Sequence, residues 1–371
     1  MKICFIADNI DRKAGLGRMV CSIADQLKKR GHEIGFVVSS GVTDHDLLKV
    51  SFRFFKFRPY KNLIDLVRIR KFVKNYDVIV CFDVQPAGIL AHLATIGRSD
   101  VIVVHSLGTY SLFLPNTGVK NFFIKKVFDM SNRVFLINDF VKRKIEESRP
   151  GFRFGSNTTF VPVGVDTKLF YKRESMSNVC IDDYIISVGA IKPRKGQLES
   201  VKAFHSISKR YPDLFFVIVG SQTDSSSYYR RVKKYVKENK LNQRTIFLEG
   251  IDDQTLINLY NGAKFFVLTP VSTRRTIEGF GMVYIESALC GITSIGTFDT
   301  GAEAAIVDGE TGCLVECSQT EIAKAMITLI DDKELCARYA HNAIQRARTF
   351  DWSFVVDLYE SELNDIFASK K

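Results

Sequence analysis

The sequence predicts an α/β protein of two successive domains, each a parallel sheet with helices on both faces. Three observations carry this. The chain has 371 residues, more than one hydrophobic core usually spans, so two cores are expected. Short β-branched runs alternate with helical stretches along the whole chain, the pattern of parallel sheets covered on both sides. The alternation lapses once, between Val165 and Asp183, in the polar and aperiodic DTKLFYKRESMSNVCIDD, and then restarts, as at a linker.

In chain order, KICFIAD (2–8) reads as a strand and AGLGR as a turn. RMVCSIADQLKKR is an amphipathic helix ended by Gly31, and HEIGFVVSS is a second strand, completing a βαβ unit. DVIVCFD (77–83), DVIVVHS (100–106), NRVFLIND (132–139) and TTFVPVG (158–164) are further strands. After the lapse come the strand YIISVGA (184–190), a helix from about Gln197 to Arg210, and the strand LFFVIVG (214–220). The basic helix YYRRVKKYVKE, TIFLEG (245–250), the helix DDQTLINLYNGA and KFFVLT (264–269) follow, then a helix at EGFG and the strand TSIGT (293–297). Two helices, from about Thr320 and about Trp352, close the chain. No short repeat or low-complexity tract interrupts this order.

Hydrophobic residues make up 46% and charged residues 25% of the chain, the proportions of a soluble globular protein. The start, MKICFIAD, reads as a strand rather than a signal peptide, and no apolar run reaches the roughly 18 residues that span a bilayer, so a cytoplasmic protein is expected. The eight cysteines, at 4, 21, 81, 180, 290, 313, 317 and 336, form no CxxC pair and have no histidine at zinc spacing; most are expected to be buried thiols. The net charge of +11 is uneven: residues 1–180 hold 29 Lys and Arg against 16 Asp and Glu, whereas residues 181–371 hold 23 against 25. The first half therefore suits an anionic partner, either nucleic acid or an acidic membrane surface. FKFRPYKNLIDLVRIRKFVKN (55–75) and GVKNFFIKKVFDM (118–130) interleave aliphatic and aromatic residues with cations, which favours the membrane. Ordinary core-facing helices with solvated basic faces are the plain alternative.

The stretch EGFGMVYIE (278–286) places two carboxylates around a glycine-flanked phenylalanine at a helix start. Met282, Ile285 and Leu289 share one face, so the helix begins near Gly281, with Glu278 before it and Glu286 on it. A helix N-terminus presents unpaired N–H groups and the positive end of the macrodipole, and glycines let an anion reach the backbone. A carboxylate accepts two hydrogen bonds from a vicinal diol. Phosphates and hydroxyls together describe a nucleotide sugar, with Glu286 on the ribose and Glu278 on a second polyol or a developing positive charge. A capped helix with two solvated glutamates is the alternative.

These residues resemble the retaining glycosyltransferases of family 4, whose GT-B fold has two facing Rossmann-like domains with a deep cleft between them. The resemblance covers nearly the whole chain. It implies an acceptor-binding domain over 1–168, on which the closing helix 352–371 packs back, and a donor-binding domain over 169–351. The Glu278-x7-Glu286 motif is its most specific element. By resemblance Glu286 binds ribose, Glu278 contacts the transferred sugar, and Phe280, Gly281, Met282 and Val283 supply amides to sugar and phosphates. GLGRMVCSIADQLKKRGHE is similar to the family's glycine-rich loop and first helix, so Gly15 and Gly17 would admit the donor phosphates. It is no dinucleotide fingerprint, because Val20 stands where a third glycine would. VPVGVDTKLF, DTGAEAAIVDGETGCLV and FDWSFVVDLYESELNDIF resemble the family's interdomain and closing segments. VGAIKPRKGQ resembles the family's pyrophosphate clamp of an arginine and a lysine. Lys195 fits the lysine, but Ala190 stands at the arginine position; Lys192, Arg194, or Arg274 and Arg275 are the candidates to replace it, and Arg194 is counted with the donor site. His105, after the strand DVIVV, matches a histidine the family often places near the transferred sugar.

The resemblance implies a hexosyltransferase moving a hexose from a nucleoside diphosphate sugar to a glycan or lipid-linked acceptor with retention, in cell-surface polysaccharide or lipopolysaccharide assembly. Glu278, His105 and Lys195 are the catalytic candidates. No metal or other cofactor is expected, since nothing resembles a DxD motif. Beyond the donor and acceptor, the expected partner is an anionic membrane surface, with peripheral contact at the inner face, and not nucleic acid. Two other readings remain: a GT-B epimerase of nucleotide sugars, which consumes no acceptor, and a basic nucleic-acid-binding protein, for which no RNA-binding motif such as KGFGFV is found.

Overall fold

The computed structural model describes residues 1–12, 14–51, 59–115, 117–173, 181–221 and 226–369. The chain divides into two compact units, Met1–Gly164 with Trp352–Lys371, and Val165–Asp351. The first boundary falls four residues before the expected 168/169. Val165 already belongs to the second unit, because its N–H donates to the Phe350 carbonyl (2.8 Å) and Thr167 donates to the Asp351 carboxylate.

The first unit runs β1 (Lys2–Asn9), α1 (Gly15–Lys29), β2 (Glu33–Ser40), β3 (Asp46–Lys49), α2 (Pro59–Val73), β4 (Val78–Phe82), α3 (Ile89–Ala94), β5 (Val101–Ser106), α4 (Gly118–Met130), β6 (Arg133–Leu136), α5 (Asp139–Ser148) and β7 (Thr158–Phe160). The second runs β8 (Tyr184–Val188), α6 (Gln197–Ile207), β9 (Phe215–Val219), α7 (Ser226–Glu238), β10 (Thr245–Leu248), α8 (Asp253–Gly262), β11 (Phe266–Val267), α9 (Met282–Leu289), β12 (Ser294–Thr297), α10 (Ala302–Ala305), β13 (Gly312–Val315), α11 (Gln319–Asp331) and α12 (Lys333–Arg348). The last helix, α13 (Trp352–Ala368), returns to the first unit. There Trp352 sits so close to Gly164 that a Cβ on that glycine would fall 2.3 Å from the indole.

Both sheets are parallel, ordered β3-β2-β1-β4-β5-β6-β7 and β10-β9-β8-β11-β12-β13. Each is doubly wound, since the chain moves outward from β1 and from β8 and then resumes on their other sides at β4 and β11. Every residue of β4, β5 and β8 is buried, which explains their unbroken apolar runs. A ligand crevice in such a sheet lies outside the carboxyl ends of the strands at this reversal.

The structure corrects several expectations. β3 and β13 are edge strands that no sequence signal marked. The segment from Thr320 holds two helices, α11 and α12, separated at Asp332, whose carboxylate caps the second by accepting from Leu335 N–H (2.8 Å). The beginning of the lapse is not a free linker. Phe170 is buried against Tyr260, and Arg173 donates to Asn258 (2.8 Å); residues 174–180, with Cys180, lie outside the described residues, as do residues 55–58 of the first basic segment. Cys4, Cys21, Cys81 and Cys290 are buried free thiols, and Cys313, Cys317 and Cys336 are half-buried. Among the described residues no helix is long and apolar enough to cross a membrane.

Candidate active site

The reversal point of the second sheet lies between β8 and β11, and most of the predicted donor residues gather at the carboxyl ends of these strands. After β8 the chain passes Gly189 and Ala190, makes a short turn over Pro193–Lys195, and enters α6 through Gly196 in the left-handed conformation (φ +68°). Glycine is required at Gly196, because a Cβ there would fall 1.7 Å from the Thr269 carbonyl oxygen just beyond β11. The turn is bound to that strand end by Val271 N–H donating to the Arg194 carbonyl (2.9 Å) and Thr269 Oγ1 donating to the Gly196 carbonyl (3.0 Å). Gln197, fully buried, donates to the Ala190 carbonyl (3.1 Å) and pins the loop from the other side.

Held this way, Lys195 and Arg194 meet Glu278. Lys195 Nζ donates to Glu278 Oε1 at 2.7 Å, and Arg194 donates to Oε2. Lys195 and Glu278 are both buried. Burial pushes the Glu278 carboxyl up, but Lys195 and then Arg194 outweigh it and hold the group below the usual carboxylate value. Glu278 is thus held as the carboxylate between Lys195 and Arg194. Of the four candidates for the missing arginine, Arg194 shares Glu278 with Lys195; Arg274 and Arg275 are exposed on the loop before Glu278.

The EGFG segment starts α9 as expected. Gly281 is its N-cap in the left-handed region (φ +80°), and a Cβ there would press on the Tyr284 ring at 2.8 Å. The half-buried Met282 and Val283 begin the helix, where N–H groups have no partner within it. Glu286 is buried and within 3.4 Å of the Tyr260 hydroxyl, so the alternative of a solvated helix face does not hold. The Phe280 side chain is buried against Phe350, which leaves its backbone as the part available to a ligand.

The first unit departs from expectation at two points. Gly15 begins α1 and is exposed, but Gly17 is buried, and a Cβ on it would fall 2.1 Å from the Asp11 carbonyl oxygen. Its need for glycine comes from the chain's own close approach. His105 is fully buried between Phe82, Phe135 and Tyr359, its Nε2 hydrogen-bonded to the Val161 carbonyl (3.1 Å). Burial lowers its pKa to about 3, so it is neutral. A side chain without exposed surface does not contact a sugar, so His105 is a core residue; the hydrogen-bonded strand end that looked like a crevice position is covered by α13.

Sequence reasoning passed over Asp83. It follows β4 at the reversal of the first sheet, buried, with an unusual φ of +74°, and accepts from Ser111 Oγ and Val84 N–H (3.3 Å). Burial raises its pKa to about 6. An acidic residue ending a strand directly before VQPAG was the available signal.

Residues 14–169 match the family model described as Glycosyltransferase Family 4, and residues 180–346 match that described as Glycosyl transferases group 1. Over 186 residues the chain is 28% identical to the D-inositol 3-phosphate glycosyltransferase of Corynebacterium glutamicum, covering 49% of this chain and 43% of that protein. Over 233 residues it is 31% identical to a GDP-mannose-dependent monoacylated alpha-(1-6)-phosphatidylinositol monomannoside mannosyltransferase from the same species, covering 58% of each. The chain therefore spans only about half the length of these two relatives. Among solved structures, Anabaena HepE in complex with UDP and glucose superposes with a TM-score of 0.82 at 18% identity, over 98% of this chain and all of that one. The fold is GT-B, with two Rossmann-like parallel-sheet domains.

Proposed function

We propose that this chain, built from two matched glycosyltransferase domains, transfers a hexose from a nucleoside diphosphate sugar to an acceptor hydroxyl with retention at the anomeric carbon. The observation that carries this reading is the Arg194–Lys195–Glu278 cluster beside the N-terminus of α9, at the reversal point of the second sheet. Two cations and a helix start favour a pyrophosphate leaving group, by charge fixed in place before reaction. In this proposal Arg194 supplies the cation that Ala190 lacks. Glu286 accepts from the ribose diol, the amides of Phe280 to Val283 hold sugar and phosphates, and Glu278 faces the transferred hexose. As the bond to the anomeric carbon breaks, electron density passes to the leaving phosphate, which takes the acceptor proton while the acceptor oxygen attacks the same face. No metal is assigned a role. The acceptor is a glycan or lipid-linked sugar of cell-surface assembly, which suits the cationic first half of the chain.

Calorimetric titration with UDP, GDP and ADP, first without metal and then with magnesium, tests the donor site. Micromolar binding of one nucleotide without metal is expected. If none binds in either condition, the reading fails. Incubation of the corresponding nucleotide sugar with and without acceptor then separates transfer from epimerisation, because only transfer consumes the acceptor.

A further inference from the structure

In the first unit, α2, α3 and α4 lie side by side. Arg70 on α2 donates to the carbonyls of Ala94 (3.0 Å) and Ile96 (2.8 Å) at the end of α3, and His92 on α3 hydrogen-bonds the Val127 carbonyl on α4 (3.3 Å). Right-handed crossovers put these three helices on one face of the sheet. Each of the outer two buries one row: Ile69 and Val73 on α2, and Ile124, Val127 and Phe128 on α4.

Their opposite rows are not the polar surfaces this arrangement calls for. Leu63, Ile64 and Val67 on α2, and Val119, Phe122 and Met130 on α4, are each between 55% and 71% exposed. Cations share those rows at helical spacing: Arg70, Lys71 and Lys74 follow Val67, and Lys126 lies one turn after Phe122, 5.9 Å from its ring centre. Asp65 is turned inward, where it accepts from Ser51 N–H, and Asp129 is taken up by Lys125. Lys71, Lys74 and Lys126 have no carboxylate partner among the described residues.

We propose that this α2–α4 face docks on an anionic lipid surface. Long aliphatic side chains standing among unpaired lysines match the two layers of a bilayer interface, acyl chains below and anionic headgroups above. A second copy of the chain would bring like charges together. A nucleic acid would require stacking platforms, and Phe122 is the single aromatic among the six exposed residues. The docking does not depend on the donor chemistry, but its use, bringing the enzyme to a lipid-linked acceptor, rests on the proposed function.

The test is co-sedimentation of the full chain with vesicles of phosphatidylethanolamine and phosphatidylglycerol, and with neutral phosphatidylcholine vesicles, at low and high salt. Three variants are compared: Leu63→Glu/Val67→Glu/Phe122→Glu, Lys71→Glu/Lys74→Glu/Lys126→Glu, and Val42→Glu, an exposed position on the other side of the first unit. Thermal melting and nucleotide calorimetry report folding and the donor site separately. Binding to anionic vesicles alone is expected, with partitioning reduced on the order of 100-fold by the lysine triple, at least about tenfold by the apolar triple, and unchanged by Val42→Glu. The proposal is overturned if wild-type protein stays in the supernatant when anionic vesicles are pelleted at low salt, if both folded triples bind as wild type does, or if the triples instead abolish self-association. Vesicle binding without nucleotide binding would sink the enzyme reading and leave the docking face standing.

Discussion

Glu278 is held by Lys195 and Arg194, and under the proposed function a donor diphosphate would compete with this carboxylate for both cations. Glu278→Gln keeps the shape and removes the charge. It should bind the nucleoside diphosphate about tenfold more tightly while transfer falls by about 100-fold or more; calorimetry and turnover measured on one preparation check both. Equal or weaker nucleotide binding would mean that the carboxylate positions the cations rather than competing for them. His105→Ala should behave in the opposite sense, destabilising the fold by roughly 3 kcal/mol through lost packing with nucleotide affinity unchanged, as melting and calorimetry would show. Asp83 offers a pH test. Its folded pKa of about 6 lies above the ordinary carboxyl value of 3.8, so the folded state binds the proton more readily. That stability is complete below about 3.8 and is lost as pH rises through about 6, by up to about 3 kcal/mol. Asp83→Asn should remove this fall, so its melting temperature gains on wild type between pH 4 and 6 and holds the gain above. At this scale Lys195, Glu278 and Glu286 were legible as residues set in or beside glycine-marked turns and a helix start, and the structure buries all three. The burial of His105 was not legible, because nothing near it in sequence announces Tyr359.

At the level of the element, the strands with continuous β-branched runs were readable because parallel sheets bury both faces. β3 and β13 were not, since four residues at a sheet edge are recruited by the neighbouring strand rather than by their own pattern. The break between α11 and α12 rests on one cap. Asp332→Ala should cost about 1 kcal/mol, measured by denaturant unfolding, without altering nucleotide binding. The loop entering α6 is more demanding: Gly196 combines positive φ with contact to the Thr269 carbonyl. Gly196→Ala should cost at least about 2 kcal/mol and displace Lys195, weakening nucleotide binding as well. Unaltered binding would detach the turn from the role given to it.

For the molecule as a whole, the last helix shows how far sequence order and spatial order part. Trp352, Val355, Val356, Tyr359, Leu363 and Ile366 are buried in the first unit, although they follow the second. Ending the chain at Asp351 should unfold the first unit and spare nucleotide binding by the second; calorimetric melting with and without nucleotide would separate the two transitions. The sequence by itself determined two parallel-sheet domains and the helix start at the EGFG segment, because alternation, turn glycines and helix starts are local properties. Tertiary structure alone decided that Arg194 and Lys195 share Glu278, that His105 lies under α13, and that Asp83 is buried against Ser111 at the sheet reversal. Each of these joins residues distant along the chain, and what brings them together is the order of strands in a sheet, which no local pattern records.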